Sequence, residues 1–279
     1  MRKYLFWLIP AVLVAVILST FLRSNHRRRE AERPRSYTPP PPAPTPRPKT
    51  VYVPILVYHL VRPARKTDPP SVRKYNVVPE LFAEELKYLK EHGYTTITFD
   101  RLAACLRRGA PLPAQPVIIC FDDGWENQYR YALPLLRQYR FVATFFIYPL
   151  AIGKKNYLSW DQVNEIAAAG MPIGSHSLTH PYLDRMTDEK KLRAEIFTSK
   201  RLLEEKTGRP VTAFAYPFGR YNPQVRALVK AAGYTTARTI RWGAYHTEAD
   251  LLTLRAYLVP NDFTGFLTVL KFRSPAPGR

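Results

Sequence analysis

The 279-residue chain carries 42 Lys and Arg against 22 Asp and Glu, a net charge of +20 at pH 7, with 46% hydrophobic and 13% aromatic residues. That apolar content can build a sizeable core and excludes wholesale disorder, and the length accommodates one large domain with appendages or two small ones. Two cysteines, Cys105 and Cys120, exclude a disulfide-stapled mini-domain and a multi-cysteine zinc cluster. Both lie in apolar runs and read as small buried thiols.

Residues 4–22, YLFWLIPAVLVAVILSTFL, hold no charge. At 1.5 Å per residue they reach ~28 Å, about the hydrocarbon thickness of a bilayer. Residues 1–33 are therefore expected to be an N-terminal signal anchor, a single transmembrane helix, with its basic flank; a cleaved secretory signal is the alternative. Arg23, Arg27, Arg28 and Arg29 outnumber Arg2 and Lys3 across the span, which by the positive-inside rule favours a cytoplasmic domain, against the outward placement that the expected function below calls for. Residues 34–50 form a proline-rich linker whose core, PRSYTPPPPAPTPRP, favours extended polyproline II and spans ~45 Å at ~3.1 Å per residue. Residues 1–49 hold ten basic and two acidic side chains, so +12 of the charge belongs to the rest of the chain. A basic domain attracts polyanions such as anionic lipid, acidic wall polymers or nucleic acid.

From residue 51 strand-like and helix-like runs alternate. VPILVYHL (53–60) reads as a buried strand, and PELFAEELKYLKEHG (79–93) as a helix stopped by Gly93. Segments 95–99, 116–121, 142–147, 171–176 and 211–217 are further strands; 127–139, 161–169, 188–207 and 222–232 are helices. Strand and helix in alternation imply parallel strands with helices packed outside. A closed or nearly closed β/α barrel is expected over residues 51–270, with a doubly wound open sheet second and 271–279 as a tail.

Such barrels collect reacting groups where strands end. CFDDG closes the apolar 116–121 run with Asp122 and Asp123 side by side. Neighbours on an extended segment point in opposite directions, so one carboxylate is expected to bind a metal while the other acts as a base. HSLTH places His176 and His180 four apart at another strand end, and a helical turn would bring them to one face as two metal ligands. One Asp and two His leave the open position of a catalytic zinc. His59 ends the first strand, and the AYPFG turn at 215–219 has backbone N–H groups that could face a ligand. His92 suits a helix C-terminus; His246 sits in a polar loop as an outside candidate.

CFDDG, GSHSLTH and FAYPFG, in this order, resemble the motifs of the polysaccharide deacetylases, carbohydrate esterase family 4 with its NodB homology domain. The resemblance covers residues 53–259 and implies a distorted (β/α)7 barrel of the NodB-like kind. It implies Asp122 as general base and Asp123, His176 and His180 as ligands of Zn2+, or of Co2+ or Ni2+. Most members take their general acid from a Leu-x-x-His motif near the C-terminus; here LLTLRAYLV has Arg255 and no His. A subgroup resembling the poly-N-acetylglucosamine deacetylases takes the acid from the first strand, where His59 stands. The motif-three Arg that pairs with the base is replaced by Ala215, with Arg255 or another basic residue as compensation. Phe218 is expected to supply an oxyanion N–H, with Tyr216 beside it at the substrate.

The expected reaction is hydrolysis of acetamides on an N-acetylglucosamine-containing polysaccharide, releasing acetate. The enzyme would be monomeric, held on the extracytoplasmic side of the cell membrane by its anchor or secreted if that is cleaved, with no nucleic-acid partner. Tyr58, Trp125, Trp160, Tyr216 and Trp242 are candidates for stacking on sugar rings or for plain core packing. The basic loop 62–76 is a candidate lid or substrate contact. The rival reading is a membrane-tethered protein of the same fold that binds carbohydrate or polyanions without turnover.

Overall fold

The computed structural model describes residues 50–272. The anchor expected at 1–33 and the linker through residue 49 lie outside the described residues, as does nearly all of the expected tail. Among the described residues no helix is long and apolar enough to cross a membrane.

One curled sheet organises the domain. Its eight strands are β1 (Ile55–Tyr58), β2 (Thr95–Thr96), β3 (Pro116–Phe121), β4 (Ala143–Ile147), β5 (Ile173–Ser175), β6 (Ala213–Ala215), β7 (Thr236–Arg238) and β8 (Tyr257–Leu258). They run in the order β7-β6-β5-β4-β3-β1-β8, with β2 added alongside β3, and every pairing is parallel. The central strands are continuous apolar runs because both faces are covered: all five residues of β4 and the last five of β3 are buried.

Alternation along each strand divides the core in two. Leu56, Tyr58, Ile119, Phe121 and Phe145 face the layer of α1 (Pro79–Glu91), α3 (Leu133–Tyr139), α4 (Trp160–Ala168), α6 (Ser199–Thr207), α7 (Pro223–Ala231) and α8 (Phe263–Lys271). Ile55, Val57, Ile118, Cys120 and Phe146 face the other way, against α2 (Phe99–Arg108) and Leu251, Leu254 and Ala256. The short α5 (Glu189–Arg193) leads toward α6.

Helix boundaries follow local chemistry. Thr98 caps α2 by accepting from Arg101 N–H, which turns the expected strand 95–99 into two strand residues and a helix start. Ser159 and Gln162 form a reciprocal capping box on α4. Two helices carry a π turn: Gln128–Ala132 runs into α3, and Ala194–Thr198 joins α5 to α6.

The ring is less complete than the barrel expected from the alternation. No ladder joins β7 to β8; the gap is crossed by the single parallel bridge Arg238–Leu254, with Leu254 N–H donating to Ala237 O (2.9 Å) and Thr239 N–H to Leu254 O (2.8 Å). The result is a curled parallel half-barrel. Its register fixes what meets at the carboxyl ends. Tyr58 pairs with Phe121, so His59 and Asp122 are next in line; Ile147 pairs with Ser175, which puts His176 beside Tyr148; and Ala215 pairs with Arg238.

Candidate active site

Strand ends β1, β3, β5 and β6 deliver His59, Asp122, Asp123, His176, Tyr216 and their loops to one cavity of about 180 Å3, which His180, Phe218 and Tyr75 also line. Asp123, His176 and His180 each offer one ligand atom, all within 4.8 Å of one another. Asp123 Oδ1 lies 3.7 Å from His176 Nε2 and 3.5 Å from His180 Nε2. A tetrahedral ion ~2.1 Å from each ligand would hold them ~3.4 Å apart, so the spacing fits a transition-metal ion. The donor chemistry fits as well. His176 Nδ1–H donates to Ala215 O at 2.7 Å, which leaves the Nε2 lone pair facing the cavity. Burial, with help from His180 and Arg238, holds the His176 imidazole down at about 4 despite both aspartates, so it stays neutral near pH 7, as a metal-binding imidazole must.

The convergence does not arise by the expected local geometry. The loop from His176 to His180 is not helical: Ser177 (φ 64°) and His180 (φ 66°) are both left-handed, and Ser177 Oγ accepts from His180 N–H at 3.0 Å. Nor do the two aspartates diverge as neighbours on a strand. Asp123 turns into the left-handed region (φ 74°) just before Gly124 (φ 76°), and its carboxylate comes back to the same cavity as that of Asp122. Trp125 Nε1–H donates to Asp123 Oδ2 (3.0 Å), leaving Oδ1 turned to the histidines.

Asp122 is buried, with Oδ2 3.8 Å from His59 Nε2 and 3.8 Å from His176 Nε2. Its Oδ1 accepts from Arg238 Nη2, and both members of this ion pair are inside the protein. Burial alone would raise the Asp122 carboxyl; Arg238, then His176 and His59, outweigh it and hold the group at about 2. Arg238 therefore fills the role left open at Ala215. Arg255, the compensation expected from sequence, instead donates to Trp242 O (3.2 Å). The signal for Arg238 was present as a charged residue closing the short run TTAR, a polar residue at a strand end like the others.

A family profile of polysaccharide deacetylases matches residues 109–237. The stretch contains Asp122, Asp123, His176 and His180 and stops one residue short of Arg238. The chain is 29% identical over 217 residues to YxkH of Bacillus subtilis, a protein whose name assigns it to the polysaccharide deacetylases, covering 78% of this chain and 75% of that one. It is 27% identical over 240 residues to the poly-beta-1,6-N-acetyl-D-glucosamine N-deacetylase of Staphylococcus epidermidis, covering 77% and 81%. Among solved structures, the Streptococcus pyogenes deacetylase PplD in complex with acetate superposes with a TM-score of 0.73 at 25% identity, over 80% of this chain and all of that one. The chain carries a polysaccharide deacetylase domain. It is accordingly a hydrolase of non-peptide carbon–nitrogen bonds, and its α/β half-barrel is the NodB-like fold.

Not every sequence candidate lies at this deacetylase site. His246 is buried away from it, Nε2–H donating to Val53 O at 3.0 Å. His92 ends α1 and stacks on Tyr88. The rings of Tyr58 and Tyr216 are core: Tyr58 OH donates to Glu85 Oε2 (2.9 Å) and Tyr216 OH to Leu252 O (3.0 Å). Tyr216 still lines the cavity floor, but it offers no open face for a sugar. Trp160 packs against the main core as part of α4, while Trp242 is 53% exposed and packs by its edge on Tyr257 and Phe272, outside the cavity. Both cysteines are free and buried, and burial pushes the Cys120 thiol up to about 12. Phe218 stands in the left-handed region (φ 57°), its ring 4.6 Å from that of His180 and stacked at 4.0 Å on Tyr182. The basic loop after His59 is pinned by Arg62 to Asp68 (2.8 Å), and its Tyr75 ring lies 4.9 Å from that of His59.

Proposed function

We propose that the protein is a metal-dependent N-deacetylase that hydrolyses acetamide groups of an N-acetylglucosamine-containing polysaccharide to acetate and a free amine. The observation that carries this reading is the convergence of an Asp-His-His donor set, a second carboxylate and a third imidazole on one cavity, in a chain similar over most of its length to a named poly-beta-1,6-N-acetyl-D-glucosamine N-deacetylase. Binding alone requires no acid–base pair; amide hydrolysis, with its poor leaving group, does.

Asp123, His176 and His180 would hold the ion, Zn2+ or else Co2+ or Ni2+ according to supply. When bound, it supplies Lewis acidity to the amide carbonyl and to the attacking water. Asp122 takes the proton of that water on Oδ2, the oxygen that Arg238 leaves free. His59 Nε2 protonates the departing nitrogen, so that the C–N bond breaks to an amine rather than an amide anion. The backbone N–H of Phe218, presented by its left-handed turn at the cavity wall, donates to the developing oxyanion. Arg238 keeps Asp122 ionised and in register through the cycle.

In this reading the domain works outside the cytoplasm on envelope polysaccharide, tethered through residues 4–22 and spaced off the membrane by the proline-rich linker. Protease accessibility of the domain in intact cells tests that placement. The activity is tested by acetate release from acetylated β-1,6- and β-1,4-linked glucosamine oligomers and from peptidoglycan, with added metal and with chelator. Release from at least one glycan, abolished by chelation and by Asp122→Asn, is the expected result. No release from any of them with metal supplied overturns the reading.

A further inference from the structure

The loop that carries two of the three metal-site donors has no secondary structure of its own. Between His176 and His180 the backbone visits the left-handed region twice, and no helical ladder satisfies its N–H groups. For Leu178 and Thr179, at the middle of the loop, a single side chain does so. Glu195 Oε2 accepts from Leu178 N–H (2.9 Å) and Thr179 N–H (2.8 Å), and its Oε1 accepts from Thr179 Oγ1–H (2.6 Å). This carboxylate is only 7% exposed, and all three of its donors lie between the two histidines.

Glu195 reaches the loop from the π turn Ala194–Thr198, a widened turn between α5 and α6. Inserting one residue into a helix shifts the face on which later side chains emerge, and π turns concentrate at functional sites. The other π turn does comparable work on the opposite half of the site. Gln128, fully buried, donates from Nε2 to both His59 O (2.7 Å) and Asp122 O (2.5 Å). Each widened turn thus directs one polar side chain at the backbone that carries the site.

We infer that Glu195 is a positioning residue for the metal: by clamping Leu178 and Thr179 it fixes the separation and aim of His176 and His180. A carboxylate suits this task because it is acceptor-only and can take three donors at once. Partners of ligand-bearing groups commonly change metal affinity by 10–100-fold when altered. The inference rests on the proposed metal site, and its test separates the two.

Zinc affinity is measured by competition with a chromogenic chelator at pH 7, and the visible d–d spectrum of the Co2+-loaded protein is recorded, for wild type, Glu195→Gln and Lys200→Ala. Glutamine offers the two backbone N–H groups a neutral oxygen in place of a charged one and can meet Thr179 only by reversing that bond, its amide N–H donating to Oγ1, so the charge-assisted clamp is weakened without loss of side-chain volume. Lys200 lies on α6, where it bonds Glu204 and Val211 O away from the loop, so its loss loosens the same helix without touching the clamp. The expected result is a 10–100-fold loss of zinc affinity and an altered cobalt spectrum in Glu195→Gln, with Lys200→Ala unchanged in both. Wild-type protein that binds neither ion defeats the metal-site reading itself. Wild type that binds, with Glu195→Gln within twofold and spectrally identical, defeats the clamp; equal losses in both variants reduce Glu195 to a helix-stabilising role and overturn it too.

Discussion

Removing Arg238 should damage the protein far more than removing any other arginine. Its guanidinium has no solvent exposure, its partner Asp122 is 3% exposed, and it lies 5.0 Å over the ring of Phe146. Arg238→Met keeps much of the side-chain volume but strands the Asp122 carboxylate in the protein. Breaking a buried ion pair from one side costs ~3–5 kcal/mol. For a domain of this size 1 kcal/mol moves Tm by about 2–4 °C, so the melting point should drop by roughly 6–20 °C. Among the described residues two of the guanidinium nitrogens, Nε and Nη1, have no hydrogen-bond partner, so burial of Arg238 is itself only partly compensated. The double variant Arg238→Met/Asp122→Asn should therefore be more stable than Arg238→Met alone, because it removes the stranded charge. Urea unfolding of the wild type, the two single variants and the double completes the cycle, and acetate release by Arg238→Met should fall by ~10²-fold or more as the base is displaced. A destabilisation under about 1 kcal/mol with additive single effects would refute the argument, since it would mean that the carboxylate finds water or another cation as readily as it finds Arg238.

Asp122→Asn should bind zinc as tightly as wild type within a few-fold while losing turnover, because none of the three donors is altered; loss of zinc in a direct titration would make Asp122 a ligand instead of the base. His59→Ala should lower turnover by ~10²-fold with metal content unchanged by elemental analysis, and near-normal turnover would move the acid elsewhere. Gln128→Leu keeps side-chain bulk but frees the carbonyls of His59 and Asp122, and kcat should fall more than tenfold while zinc affinity holds, since the clamp on the histidine loop is separate. His246 gives the fold a pH dependence of its own. Burial, assisted by Arg255, holds it down at about 4 against the Val53 carbonyl and Asp250. Between about 4 and the ordinary value near 6.5 the unfolded chain binds the extra proton, so stability is complete above that window and is lost as pH falls. The loss from pH 7 to pH 5 should be about 2 kcal/mol. The wild-type-minus-His246→Gln difference in urea stability should show that slope, and a flat difference would contradict it.

The strand–helix alternation and the rule that chemistry gathers at strand ends were legible because they depend on local properties: apolar runs, glycine stops and polar residues that close them. His59, Asp122, Asp123, His176 and His180 all follow from that rule. What was not legible depends on closure. The span 95–99 looked like a strand because TTITF is β-branched and aromatic, yet Thr98 offers a side-chain oxygen to Arg101 N–H, and one capping bond redirects Phe99 into α2. Likewise, HSLTH has helical spacing, but its backbone is decided by Glu195, fifteen residues beyond His180 and on another element.

Arg238 shows the same limit most clearly. Sequence reasoning named Arg255, in the C-terminal motif, or another basic residue as compensation for the arginine missing at Ala215. The protein needs only a guanidinium beside Asp122 on the inner face of the half-barrel, and neighbouring parallel strands give more than one route there. Ala215 and Arg238 are register partners on β6 and β7, so the cation has moved sideways across one ladder while keeping its height in the sheet. A motif compares positions along the chain, whereas the ion pair depends on height and face, and sheet register connects the two. An arginine at the end of β7 does what one at the end of β6 would do, provided the small side chain of Ala215 leaves the inner face open between them; Ala215→Leu should close that path and weaken the Asp122 pair while leaving the three metal donors in place.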